Sequence, residues 1–232
     1  MFLSLDPLYW MMMIPVLLLS LITSLRVKTA FKKFSKIKTA SGLTGAEVAK
    51  KILEMNNLSH VQVLPSKGFL SDHYDPMKKV VKLSPKVYES NSIAAVGVAA
   101  HETGHAIQHA KSYGPLKLRN AMVPLASFGS NFSWIIIMIG FFMGALGLVK
   151  IGIVLFSLVV IFQLLTLPVE FDASNRAKEI LSSRGIVSGP ELKGVNQVLS
   201  AAAMTYVAAA VSSVMTLLYF LLRSGLLGGG DD

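Results

Sequence analysis

The sequence predicts an α-helical membrane protein with about four transmembrane helices and a small α+β region outside the membrane. Hydrophobic residues make up 53% of the 232 residues and charged residues only 15%, whereas ordinary soluble domains carry about 25% charged residues. This composition excludes disordered, collagen-like and coiled-coil chains and disfavours a soluble enzyme. The sequence also contains no cysteine, which excludes a disulfide framework and cysteine-ligated zinc or iron–sulfur sites.

Four uncharged stretches account for most of the apolar residues. They span residues 7–25, 121–149, 151–169 and 194–222, and each can hold the roughly 20 residues of a membrane-spanning helix. The first lacks the positive n-region of a signal peptide, so it is predicted to be an anchor. Only one lysine separates the second from the third, which predicts a tight hairpin. The fourth is rich in Ala and Ser, a composition that favours close helix packing in lipid.

The positive charges predict how the helices are oriented. Of the 22 Lys and Arg residues, 16 lie in residues 26–130 and 4 in residues 170–193. A four-span topology places these two segments on the same side of the membrane, and the positive-inside rule makes that side cytoplasmic, with both termini outside. The basic residues cluster beside a span and do not alternate with aromatic residues along a groove, so nucleic-acid binding is not expected.

The polar segments that follow the first span predict the α+β region. Thr44 followed by Glu47 fits a capping box, and an apolar stripe predicts a helix within residues 39–60. Residues 61–83 are rich in β-branched residues with a turn signal between them, which predicts a small sheet or hairpin. An Ala-rich helix is predicted from about residue 91 to residue 111.

This Ala-rich helix carries the sequence HETGH, an HExxH motif formed by His101, Glu102 and His105. Histidines at positions i and i+4 lie on one helix face, about 6 Å apart along the axis, so both can reach one zinc ion at roughly 2.1 Å. Glu102 would lie beside the metal without binding it, placed to take a proton from an activated water and pass it to the leaving amine. The motif therefore predicts a peptidase centre with one Zn²⁺ per chain; the alternative is a pair of histidines in a helical core.

A catalytic zinc of this kind needs a third protein ligand. Glu170 is the preferred candidate, because the third span returns it to the side that carries the motif and because a carboxylate at the end of a span is costly unless it is solvated or paired. Asp172 is the runner-up. His109 lies eight residues after His101, about 12 Å along a continuous helix, so we expect it to pack or to support a ligand from behind.

Longer strings around these residues resemble a known family. HETGHAIQH, the upstream GLTGAEVAKKIL and LSDHYDP, and the downstream PVEFDASNRA are similar to the bacterial neutral zinc metallopeptidases of the YugP type, and the likeness runs nearly end to end. More distantly, the order of HExxH, hydrophobic hairpin and glutamate resembles the HtpX-type membrane proteases. The resemblance implies a gluzincin-like site with zinc on His101, His105 and Glu170, with Glu102 as general base, facing the cytoplasm in a bacterial inner membrane.

The chain departs from the HtpX-type pattern at one position. Those proteases follow the glutamate ligand, four residues later, with an aspartate that orients a zinc histidine, and here that position is Ser174. Ser174, Asp172 and Asn175 are therefore all candidates for the supporting role.

The expected catalytic region is zincin-like, with the HExxH helix beside a short antiparallel sheet. In such a fold an extended substrate would add to an edge strand near the zinc helix. Residues 69–74 are the predicted edge, which would bring His73 near the site. His73 and Arg176 are the candidates for stabilising the oxyanion.

Together these observations predict a membrane-embedded zinc metalloendopeptidase that hydrolyses peptide bonds of membrane, membrane-associated or misfolded proteins. The alternative is a catalytically silent zinc-binding scaffold or regulatory protein in the lipid bilayer, and assembly as a homo-oligomer or with a membrane partner stays open. A transporter is disfavoured, because Lys150 is the one ionisable residue that interrupts the spans. The chain is therefore expected to divide into six segments. They are the anchor (1–25), the catalytic region (26–130), the transmembrane hairpin (131–168), the segment with the third ligand (169–197), the fourth transmembrane helix (198–222) and the tail (223–232).

Overall fold

The computed structural model describes residues 6–68 and 71–226. This part of the chain is mostly helical, as predicted, with seven helices and three short strands. In chain order the elements are α1 (Pro7–Phe34), α2 (Gly45–Met55), β1 (Gln62–Pro65), β2 (His73–Asp75), β3 (Val80–Leu83), α3 (Pro85–Tyr88), α4 (Ile93–Ala110), α5 (Gly114–Phe142), α6 (Leu146–Ser183) and α7 (Gly189–Arg223).

Four of these helices, α1, α5, α6 and α7, are long and apolar enough to cross a membrane, which confirms the predicted number of spans. The turn between the second and the third lies at residues 143–145, so the expectation that it falls at Lys150 is wrong: that lysine lies inside α6. Helix α6 differs from the expectation because it does not end near Pro168. Proline lacks an amide donor and crowds the carbonyl one turn earlier, but apolar membrane helices tolerate it, and this helix continues to Ser183. It ends before Gly185, whose φ of 62° is the left-handed conformation typical of a helix C-terminus. Glu170 therefore lies inside a helix rather than beyond the end of one.

The predicted capping box at the start of α2 is confirmed. The Thr44 hydroxyl accepts a hydrogen bond from the Glu47 amide at 3.3 Å, and the Glu47 carboxylate accepts one from the Thr44 amide at 2.8 Å. The apolar stripe of this helix is buried in the core, where Val48 and Ile52 are fully inaccessible.

The sheet corrects the prediction of a short antiparallel sheet. Its strand order is β1-β3-β2, and β2 is antiparallel to β3 while β1 is parallel to β3. The hairpin is closed by Asp75, whose carboxylate accepts hydrogen bonds from the amides of Met77 and Lys78 at 3.0 Å. In the hairpin, β2 occupies one edge of β3, so β1 pairs with the other edge. The residue pattern of these short strands does not determine whether that second pairing is parallel or antiparallel.

The chain divides into two compact units. The sheet-bearing unit comprises residues 23–117 and 168–204, and its core gathers buried residues from the sheet and from several helices, among them Ile52, Leu53, Val81, Leu83, Ile107 and Leu181. The apolar unit comprises, within the described residues, 6–22, 118–167 and 205–226, and its core includes Met13, Ile137, Val149, Ile153, Tyr219 and Phe220. Residues 227–232 of the predicted tail and residues 69 and 70 of the predicted edge lie outside the described part of the chain.

Candidate metal centre

Helix α4 carries the HExxH motif within the sheet-bearing unit. It begins after Ser92, whose hydroxyl accepts a hydrogen bond from the Ala95 amide at 3.3 Å, and it covers nearly all of the predicted range. The imidazole rings of His101 and His105 lie on one face of the helix, with their centroids 4.8 Å apart.

A close approach between α4 and α6 brings a carboxylate to this face. A Cβ atom at Gly104 would lie 2.8 Å from the backbone oxygen of Ala173, which is closer than real Cβ atoms come to another atom. Glycine at this position therefore lets the two backbones meet. Glu170, one turn before Ala173, is buried opposite the two histidines.

The three side chains form a compact cluster. The Oε2 atom of Glu170 lies 3.3 Å from the Nε2 atom of His101 and 3.7 Å from the Nε2 atom of His105, and one donor atom from each residue lies within 4.8 Å of the others. Ligand atoms of a tetrahedral zinc with bonds near 2.1 Å are about 3.4 Å apart. The spacing thus suits one zinc ion.

The Glu170 carboxylate also has an unsatisfied acceptor atom. Its side chain is buried, and apart from the two imidazole nitrogens its Oε2 atom faces no possible hydrogen-bond partner among the described residues. A buried carboxylate oxygen without a partner is costly, and a cation between it and the two imidazoles would remove that cost. Two histidines and one glutamate are the protein ligands of one class of catalytic zinc sites, so the residues present fit the metal.

Glu102 lies next to His101 in the sequence and is only 8% exposed. Burial raises the pKa of its carboxyl group, against the opposing influence of His101 and His105. A carboxyl group with a raised pKa accepts and returns a proton more readily near neutral pH than an exposed one.

The runner-up ligand, Asp172, bonds elsewhere. Its Oδ2 atom accepts hydrogen bonds from Gln108 Nε2 at 2.7 Å and from Arg176 Nε at 2.6 Å. Gln108 Nε2 also donates to the backbone oxygen of Val169 at 2.8 Å, and Gln108 Oε1 lies 3.0 Å from His105 Nδ1. The sequence analysis did not identify Gln108, although its position three residues after His105 places both on one helix face.

Among the three candidates for the supporting role, Ser174 is the residue that contacts a candidate ligand. Its hydroxyl lies 3.2 Å from the Nδ1 atom of His101, whereas the neighbouring Asn175 is exposed. In this chain the residue four positions after Glu170 therefore contacts His101 through a hydroxyl group.

The other predicted residues lie around the cluster. His109 bonds through Nδ1 to the hydroxyl of Tyr74 in β2 at 2.8 Å, so it supports the sheet. His73 is exposed on β2, an edge strand, and its Nδ1 atom lies 2.8 Å from the backbone oxygen of Ser71. Besides its bond to Asp172, Arg176 lies 5.8 Å from the centroid of the Tyr113 ring.

Comparisons with known proteins agree with the chemistry of this cluster. The sequence model of the family described as “Putative neutral zinc metallopeptidase” matches residues 9–225. The chain is also 50% identical over 214 residues to “Putative membrane protease YugP” of Bacillus subtilis (strain 168), an alignment that covers 92% of this chain and 94% of that protein. No solved structure matches the chain.

Proposed function

Because the chain belongs to the neutral zinc metallopeptidase family, we propose that it is a membrane-embedded metalloendopeptidase that cleaves peptide bonds of membrane or membrane-associated proteins. The family implies zinc as the cofactor, and the four apolar helices make the chain a membrane protein. The observation that carries the proposal is the cluster of His101, His105 and Glu170, in which a buried carboxylate oxygen faces two imidazole nitrogens.

In the proposed mechanism His101, His105 and Glu170 hold the zinc ion. When bound, zinc supplies Lewis-acid chemistry, acidifying a water molecule and polarising the scissile carbonyl. Glu102 accepts the proton from the attacking water and then donates it to the leaving nitrogen as the C–N bond breaks. The raised pKa of the buried Glu102 carboxyl suits it to both steps.

The substrate is proposed to bind as an extended segment beside β2. This strand lies at the edge of the sheet, and an edge strand offers backbone hydrogen bonds to a polypeptide. His73 on that strand and Arg176 on α6 are the proposed donors to the carbonyl oxygen on which negative charge develops.

The sheet-bearing unit is proposed to face the cytoplasm of a bacterial cell, with the site at its inner membrane. Six Lys and Arg residues lie between positions 26 and 38, in the last turns of α1 and just after it, and all six are exposed. Basic residues this close to a span determine orientation most strongly.

Zinc content and peptidase activity test the proposal together. Detergent-purified wild type should hold about one zinc per chain, the count expected of one three-ligand site. Glu170→Ala should lose the zinc, whereas Glu179→Ala, which removes an exposed glutamate from the same helix, should keep it. Glu102→Gln should keep the zinc and lose cleavage of fluorescein-labelled casein.

Two results would contradict the proposal. One is a wild type that holds no zinc after loading with zinc salts, and the other is a Glu102→Gln variant that cleaves casein as fast as the wild type. Zinc binding without any cleavage in the wild type would favour the silent scaffold.

A further inference from the structure

A chain of hydrogen bonds behind His105 connects helices α4 and α6. It runs from Arg176 through Asp172 and Gln108 to the Nδ1 atom of His105, with contacts between 2.6 and 3.0 Å. Gln108 is fully inaccessible to solvent, so its amide must find its partners inside the protein.

The chemistry of each group determines which end of the Gln108 amide faces which partner. An ionised carboxylate and a backbone carbonyl can only accept hydrogen bonds. Asp172 and the Val169 carbonyl therefore both require the NH₂ end of the Gln108 amide, which lies 2.7 and 2.8 Å from them. The opposite orientation would place an oxygen against two further oxygens.

The orientation of Gln108 in turn determines the tautomer of His105. With its NH₂ group turned to α6, Gln108 presents its oxygen to Nδ1 of His105 at 3.0 Å, so Nδ1 carries the hydrogen and donates it. A neutral imidazole has one N–H and one lone pair. The lone pair then lies on Nε2, the atom 3.7 Å from Glu170 Oε2.

We propose that Gln108 and Asp172 are positioning residues that hold the His105 lone pair toward the metal position. The inference rests on the proposed zinc site and deepens it. Asp172 acts through Gln108, since its carboxylate accepts from the Gln108 amide and from Arg176. Ser174 cannot do the same for His101, because a hydroxyl both donates and accepts and so leaves the tautomer open.

Zinc affinity measured by competition with a chromogenic chelator gives the first test. Gln108→Met keeps the length of the side chain and removes both hydrogen-bonding ends. It should weaken zinc binding roughly 10- to 100-fold, the usual effect of losing a partner behind a metal ligand. Thr103→Val is the matched control, because Thr103 is equally buried in α4 but bonds only to carbonyls of its own helix.

An exchange of groups separates positioning from packing. Gln108→Glu alone sets a second carboxylate against Asp172, and Asp172→Asn alone removes one of the two acceptors that orient the Gln108 amide, so each should weaken zinc binding. In the double variant the amide introduced at position 172 can donate to the carboxylate introduced at position 108, which in turn accepts from His105. The carboxylate at position 108 still faces the Val169 carbonyl, so the double variant should recover part of the affinity and bind zinc more tightly than the two single losses added together predict. Losses that simply add would overturn the proposal, because independent sites add and coupled ones do not.

The tautomer itself can be read in metal-free protein at alkaline pH, where a histidine side chain is neutral. Selective ¹⁵N labelling of the five histidines should show His105 protonated at Nδ1 in the wild type and as a mixture of tautomers in Gln108→Met. Protonation at Nε2 in the wild type would overturn the proposal. This reading needs no zinc, so a failure of the zinc site and a failure of the positioning chain are distinguishable.

Discussion

Ser174 supports His101 with a weaker group than the aspartate found at this position in the HtpX-type proteases. Its hydroxyl lies 3.2 Å from His101 Nδ1, and a hydrogen bond to a neutral oxygen is roughly half as strong as one to a carboxylate. Both histidines thus have a partner behind them, but only His105 is connected, through Gln108, to a carboxylate. The orientation of the two proposed histidine ligands would therefore depend on side chains of both α4 and α6.

Removing the Ser174 hydroxyl should loosen His101. For Ser174→Ala we expect zinc affinity to fall about tenfold, the lower end of the range for such partners, with a nearly unchanged melting temperature. Chelator competition and thermal melting in detergent would measure the two effects. Ser200→Ala, a change at an exposed serine of α7, is the control, and equal zinc affinity in both variants would show that the hydroxyl does not support the ligand.

For individual residues, most of the predicted site came from their spacing along the sequence. The interval between His101 and His105 places both on one helix face, and the order of the spans made Glu170 the preferred third ligand. Spacing did not separate Glu170 from Asp172, because two residues along a helix differ mainly in the direction of the side chain. Gln108 went unnoticed since its amide has no ligand chemistry of its own and acquires a role only when α6 packs against α4.

Among the elements, the contact between α4 and α6 brings the three candidate ligands together. The two helices approach closely at Gly104, inside the HExxH motif, where an added Cβ atom would lie 2.8 Å from the backbone oxygen of Ala173. Backbone atoms cannot move aside as a side chain does, so a methyl group here would have to separate the helices. Glu170 lies within one turn of that point.

Gly104→Ala should therefore remove zinc binding even though alanine favours helix formation. The control is Gly97→Ala in the same helix, where the added Cβ atom would meet the Cγ1 atom of Val195 at 3.2 Å, a side chain that can shift. Zinc per chain after size-exclusion chromatography would be measured for both. Full occupancy in Gly104→Ala would show that the helix separation does not limit the site.

The capping box of α2 predicts a pH effect on stability. Hydrogen bonds from the Thr44 backbone and hydroxyl hold the pKa of Glu47 below its ordinary value of 4.5. A carboxyl group with a lowered folded-state pKa stabilises the fold above its unfolded pKa, and this contribution is lost as the pH falls through the folded-state pKa. The contribution of Glu47 should thus be complete at pH 7 and disappear at a pH below 4.5.

Glu47→Gln keeps an acceptor at this position and removes its titration. The difference in melting temperature between wild type and Glu47→Gln should favour the wild type at pH 7 and shrink on acidification through this range. Other carboxyl groups titrate equally in both proteins, so they cancel in the difference. A difference that stays constant from pH 7 to pH 3 would contradict the assigned role of Glu47.

The elements themselves were predictable where a local pattern determines them. Capping chemistry located α2, and the Ala-rich run gave α4 to within two residues at each end. The β1 strand pairs with the edge of β3 that the hairpin leaves open. The short residue pattern of β1 does not indicate which edge this is, so it could not predict that β1 and β3 are parallel. Pro168 likewise suggested an end to α6 that neighbouring residues override.

At the scale of the whole molecule, the start of α1 and the end of α7 meet within the apolar unit. Asp6, just before α1, accepts a hydrogen bond from the Tyr219 hydroxyl at 2.8 Å and lies 3.4 Å from the Nε atom of Arg223 near the end of α7. The start of α1 and the end of α7 therefore lie together, and a chain that crosses a membrane four times places both on the same side of it. The ion pair gives Asp6 and Arg223 a counter-charge at this end.

The proposed orientation predicts which residues a membrane-impermeant maleimide can reach. The chain contains no cysteine, so a single introduced cysteine reports only its own position. Met143→Cys lies in the turn between α5 and α6, where Met143 is 67% exposed, and it should react in intact bacterial spheroplasts. Lys36→Cys, at an exposed position after α1, should react only after the membrane is permeabilised. The reverse pattern would place the zinc cluster outside the cell, and reaction of both in intact spheroplasts would show that α5 and α6 do not form a spanning hairpin.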